Sequence, residues 1–98
     1  MVIRYRIYEQ GEEVLLAACD SELLGKTLED GEIHMVVKES FYGGESIEPH
    51  ELAENFDRTT IANLVGEETV KTALEKGFGW KEDVLYINEV PHLQIVRM

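Results

Sequence analysis

The chain has 98 residues, 44% of them hydrophobic and 30% charged, with nine Lys and Arg against twenty Asp and Glu, a formal net charge of -11 and a pI near 4.6. That length suits one domain over 1–98 and excludes two separate cores. No stretch approaches the ~20 apolar residues of a membrane span, and Arg4 and Arg6 fall where a signal peptide needs an apolar run, so the chain reads as cytoplasmic.

Residues 2–8 alternate, with Ile3, Tyr5 and Ile7 on one face and Arg4, Arg6 and Tyr8 on the other, the period-2 pattern of a half-buried strand. The run Val14–Cys19 is apolar throughout and suits a strand covered on both faces. With the glycine-bearing Glu9–Glu13 between them, 2–19 reads as a β-hairpin. Asp20 and Ser21 are placed to cap a turn through Leu24, ended by Gly25, and Glu29-Asp30-Gly31 makes a second turn. A strand follows over 32–38 with Ile33, Met35 and Val37 inward and His34 outward beside Glu32 and Lys38.

A loop opens at Ser40. Pro49 then suits the first position of a helix, with Ile47 stapled against Leu52 and an apolar face of Leu52, Ala53 and Phe56. Residues 59–77 read as a second helical region broken at Gly66, with Ile61, Leu64 and Val65 as one stripe and Val70, Ala73 and Leu74 as another. Glu67 and Glu68 suit the positive end of a helix over 67–76, and Glu67 with Lys71 makes an i,i+4 pair. Strands at Val84–Ile87 and Leu93–Arg97 close the chain. The predicted class is α+β: a mixed β-sheet starting with an N-terminal hairpin, two to three helices packed on one face.

Four segments occur in order along nearly the whole chain: Leu23-Leu24-Gly25-Lys26-Thr27, Ser40-Phe41-Tyr42-Gly43-Gly44-Glu45, Ile61-Ala62-Asn63-Leu64-Val65-Gly66-Glu67 and Val90-Pro91-His92. On these the chain resembles the archaeal family of small uncharacterised proteins called Domain of Unknown Function 424. The resemblance implies a small archaeal cytoplasmic protein and brings no activity, substrate or cofactor with it.

Charge is unevenly spread along the sequence. Residues 9–57 hold fourteen carboxylates against Lys26 and Lys38, whereas 58–98 are nearly balanced. Gathered in space, the acidic half would make a surface that steers a cationic partner; the competing reading is a solvated acidic shell. Within it, Phe41, Tyr42, Gly43, Gly44, Glu45 and Glu48 are the candidate partner-binding residues. The two glycines can take positive φ, an exposed Tyr42 would serve as a recognition contact, and the competing reading is a tight turn anchored by Phe41 in the core.

Motifs for small-molecule chemistry are incomplete. Gly25-Lys26-Thr27 lacks the first glycine of a phosphate-binding loop, because position 20 is Asp20, and Gly77–Glu82 lacks the third glycine of a dinucleotide fingerprint. His34, His50 and His92 share no ligand spacing and there is no CxxC, so no metal or cofactor is assigned. His92, stiffened by Pro91, is the candidate functional imidazole, with a structural histidine as the competing role. Cys19 reads as a buried, inert thiol, and Asn63 as a group that satisfies loop backbone, such as that of Gly43 and Gly44.

The leading expectation is a non-catalytic interaction module for a basic protein or ribonucleoprotein partner. The alternative is an RNA-contacting sheet face of Arg4 and Arg6 with Tyr8, joined by Arg97 if the terminal strands pair. Third is a small enzyme with a pocket gathering His92, a carboxylate and Tyr42.

Overall fold

The computed structural model describes residues 2–97. The strands are β1 (Ile3–Gln10), β2 (Glu13–Asp20), β3 (Thr27–Asp30), β4 (Ile33–Val36), β5 (Glu45–Ile47), β6 (Ile61–Val65), β7 (Leu85–Ile87) and β8 (Val90–Val96). The α-helices are α1 (Glu39–Tyr42), α2 (Pro49–Ala53) and α3 (Glu67–Glu75). Six strands form a mixed sheet ordered β5-β1-β2-β6-β8-β7, in which β2 and β6 run parallel and all other neighbours antiparallel; β3 and β4 make a separate hairpin. No helix among the described residues is long and apolar enough to cross a membrane.

The α+β class and the N-terminal hairpin stand as the apolar pattern predicts, with Ile3 opposite Asp20 and Gln10 opposite Glu13. α2 and α3 cover one face, where Leu52, Phe56, Val70 and Ala73 pack on Ile3, Leu16, Ala18, Leu64 and Leu93. The other face is closed by α1 and the β3–β4 hairpin, whose Tyr42, Leu28 and Val37 pack on Ala17, Cys19, Val65 and Ile87. This double cover explains the unbroken apolar run of β2, which has a core on both sides.

Residues 61–65 correct the expected helix over 59–77. They form β6, in the centre of the sheet, with Ile61 opposite Leu15 and Val96. An apolar stretch this short fits a doubly buried strand as well as one turn of helix, and its β-branched ends favour the strand. The helical part begins after Gly66 and ends at Glu75, within the expected 67–76. β3 was not expected, because Thr27–Asp30 has one buried side chain, Leu28. Ile33 stays 46% exposed although the period-2 pattern turns it inward, while Val37 is buried just beyond the strand.

Asp20 does not cap the turn beside it. That 3-10 turn, Ser21–Leu23, has no side-chain cap, and the Asp20 carboxylate instead reaches the start of α3. The N-cap of α3 is Gly66, which has no side chain of its own to offer.

Candidate functional site

The polar face of β1 lies under α1 instead of in solvent. The Glu39 and Tyr42 carbonyls of this four-residue helix accept from the Gly43 and Gly44 N–H groups, and three β1 side chains bond to carbonyls at and just beyond its C-terminal end. Arg4 donates to the Gly44 carbonyl at 3.0 Å, Arg6 to the Gly43 carbonyl at 3.1 Å, and the Tyr8 hydroxyl to the Phe41 carbonyl at 2.8 Å. The Tyr8 ring stacks on Phe41 with centroids 5.4 Å apart, and Phe41 meets Tyr42 edge-on at 4.9 Å.

This arrangement revises several expectations at once. Tyr42 is 4% exposed, so it anchors the core and offers no recognition surface, while Phe41 is half-buried against Tyr8. Gly43 and Gly44 both avoid positive φ; the chain needs them for space, since a Cβ on Gly43 or Gly44 would overlap the carbonyl oxygen of Glu39 or Tyr5 respectively. Asn63 sits within β6 opposite Ala17 and Gln94, and the carbonyls of Gly43 and Gly44 are taken by the arginines.

The proposed cluster of Arg4, Arg6 and Arg97 is not assembled. β1 and β8 are separated by β2 and β6. Arg97 donates to the Phe56 carbonyl at 2.9 Å and lies over the Phe78 ring, 5.4 Å from its centroid, on the helix-covered face opposite Arg4 and Arg6. The terminal strands do not pair because β6 inserts where the hairpin would otherwise meet β8.

A row of side chains crosses the hairpin-covered face: Arg4, Cys19, Val65, His92 and Leu85 stand opposite one another on successive strands. Strands lie ~4.8 Å apart, which leaves Cys19 and His92 about 10 Å from each other with Val65 between them, too far for proton transfer. His92 is half-buried, and burial lowers its pKa below the ordinary 6.5. Burial, then the neighbouring Asp20 charge, pushes the Cys19 thiol up to about 12, and burial does the same to the Tyr42 hydroxyl. The native protein should therefore show no reaction of Cys19 with a thiol reagent at pH 8, the reaction appearing only on denaturation; rapid labelling of folded protein would refute the assignment. Among the described residues no three His, Cys, Asp or Glu side chains converge on a metal-sized site.

The carboxylates of 9–57 do not gather on one side. Glu29, Asp30 and Glu32 ride on the hairpin over one face, while Glu51, Glu54 and Asp57 ride on and after α2 over the other. Asp30 accepts from the Asn88 N–H beside β7, at one edge, and Glu45 and Glu48 stand at β5, the opposite edge. Among the described residues Arg58 pairs with Glu9 at 3.2 Å and His34 Nδ1 lies 3.6 Å from a Glu29 carboxylate oxygen, both pairs exposed. Among the described residues, acidic side chains thus stand over both faces and at both edges of the sheet, most of them outside any ion pair.

What stands out within this acidic shell is the β7–β8 side of the sheet. Of seven exposed large apolar side chains among the described residues, four lie there or in the approach to it: Trp80 at 72% exposure, Tyr86 at 62%, Val96 at 60% and Leu85 at 51%. None was singled out from sequence. The signal was Trp80 itself, the chain's single tryptophan, bracketed by Gly79 and Lys81 and followed by Glu82 and Asp83 in a polar, glycine-bearing stretch. Clefts flank this side: one of about 330 Å³ includes Trp80, Asp83, Gln94 and Val96, and one of about 500 Å³ includes Val70, Leu74, Tyr86 and Pro91.

A sequence-family model described as protein of unknown function (DUF424) matches residues 8–98. The fold is similar to that of a crystal structure of an uncharacterised conserved protein from Methanopyrus kandleri, with a TM-score of 0.81 and 26% identity over 100% of this chain and 95% of that one. No curated protein matches the chain.

Proposed function

The chain belongs to the DUF424 family, and we propose that it acts in the cytoplasm as a non-catalytic interaction module for a basic protein, free or within a ribonucleoprotein. The observation that carries this reading is the exposed apolar set Trp80, Leu85, Tyr86 and Val96 at one side of a chain with a net charge of -11. Exposed aromatics of this kind anchor interfaces, and the surrounding carboxylates raise the encounter rate with a cationic partner. The contact surface is thereby moved from Phe41–Glu48 to β7 and β8, because Tyr42 is buried and the glycine loop is tied to β1.

Calorimetric titration with a lysine-rich polypeptide tests the reading. Binding should weaken steeply as salt is raised, and Trp80→Ala, an exposed change that leaves the core intact, should weaken it about tenfold. Absence of binding at low salt, or equal affinity of the variant, would refute it.

A further inference from the structure

β8 outruns its outer neighbour. β7 pairs with it from Val90 to His92 only, so among the described residues the rest of β8 has β6 on one side and no strand on the other. Ladder alternation decides which groups face out. The Arg97 N–H donates to the Thr60 carbonyl at 2.8 Å and the Pro91 carbonyl accepts from Gly66 N–H at 2.9 Å, so odd-numbered residues turn their backbone groups toward β6. Gln94 and Val96 therefore turn theirs outward, and no other backbone group among the described residues bonds to them. Both side chains are exposed, and the free rungs open on the cleft that Trp80 and Asp83 help to line.

We propose that this edge takes up an extended, lysine- or arginine-bearing segment of the partner protein as an added strand, a mode that rests on the interaction reading above. Strand addition satisfies the outward N–H and C=O groups, and the period-2 alternation of the incoming segment sends one set of side chains toward Val96 and the other to the opposite face. On that face Gly79 lies against Leu93 and Ile95, which brings the Trp80 segment beside the edge. Charge selects the occupant. A net charge of -11 opposes a second copy of this chain and favours a basic segment, whose cation can sit over the Trp80 ring or pair with Asp83. Arg97 also lines this cleft, with its guanidinium engaged over Phe78 and donating to the Phe56 carbonyl.

The chain has a single tryptophan, so its emission reports this cleft alone. A peptide of alternating lysine and valine should change Trp80 fluorescence saturably and slow hydrogen exchange of the Gln94 and Val96 amides. N-methylating the peptide residues that face β8 should weaken binding about tenfold. Equal binding of the methylated peptide with those amides unprotected overturns strand addition and leaves the interaction reading standing. No binding of either peptide at low salt overturns both. A concentration-dependent dimer that protects the same amides without peptide assigns the edge to a second copy and overturns the proposal.

Discussion

Replacing Asp20 with alanine is expected to lower the melting temperature by about 12–24 °C, for a loss of about 3 kcal/mol in a domain of this size. The carboxylate is 2% exposed and accepts three bonds: from the Thr69 N–H at 2.9 Å, the Thr69 hydroxyl at 2.8 Å and the Glu68 N–H at 3.1 Å. These donors include first-turn amides of α3 that no intrahelical carbonyl can reach, and alanine would leave them buried and unpaired. Asp20→Asn keeps one acceptor oxygen and should fall between the two. Gly66 is part of the same device, with φ at +110° and a Cβ position that would lie 2.7 Å from both Asp20 oxygens. Gly66→Ala should therefore be strongly destabilising in the native background and less so beside Asp20→Ala, because the overlap disappears with the carboxylate. Thermal melts by circular dichroism measure both; a shift under ~3 °C for Asp20→Ala would remove the long-range cap from the account.

Gly44→Ala should cost about 3 kcal/mol and lower the urea midpoint accordingly. The added methyl would overlap the Tyr5 carbonyl oxygen and press on Arg6 Cβ at 3.2 Å. Tyr5 pairs with Glu45 at the start of β5, so relief requires that β5 separate from β1 or that the arginine contacts to Gly43 and Gly44 break. Backbone meets backbone here, and neither side can rotate away as a side chain would. Unchanged stability would show that the approach of these two segments is looser than described.

The same glycine pair illustrates how far residues alone could be read. Two aromatics and two glycines between carboxylates have the composition of a ligand loop, yet the composition of a tight packing corner is identical. The outcome turned on what lay above β1: with α1 seated there, Tyr8 became a partner for a helix carbonyl, Arg4 and Arg6 for the glycine carbonyls that follow it, and Tyr42 became core. The unexpected strand β6 has a related cause. Ile61–Val65 carries apolar residues at spacings that suit a helix turn, and insertion between β2 and β8 joins its β-branched ends in selecting the extended form.

From its sequence the chain determined the N-terminal hairpin, the burial of Ile47 and Leu52 in one core, the helix after Gly66 and the buried setting of Cys19, because each rests on neighbours in sequence or on apolar alternation that any cover would bury. Tertiary structure alone decided that the acidic elements surround the sheet, that Asp20 serves a helix 49 residues away, and that Gln94 and Val96 face an open edge beside Trp80. Those properties depend on which distant segments become neighbours, and period and composition specify what a face wants buried without naming what will bury it.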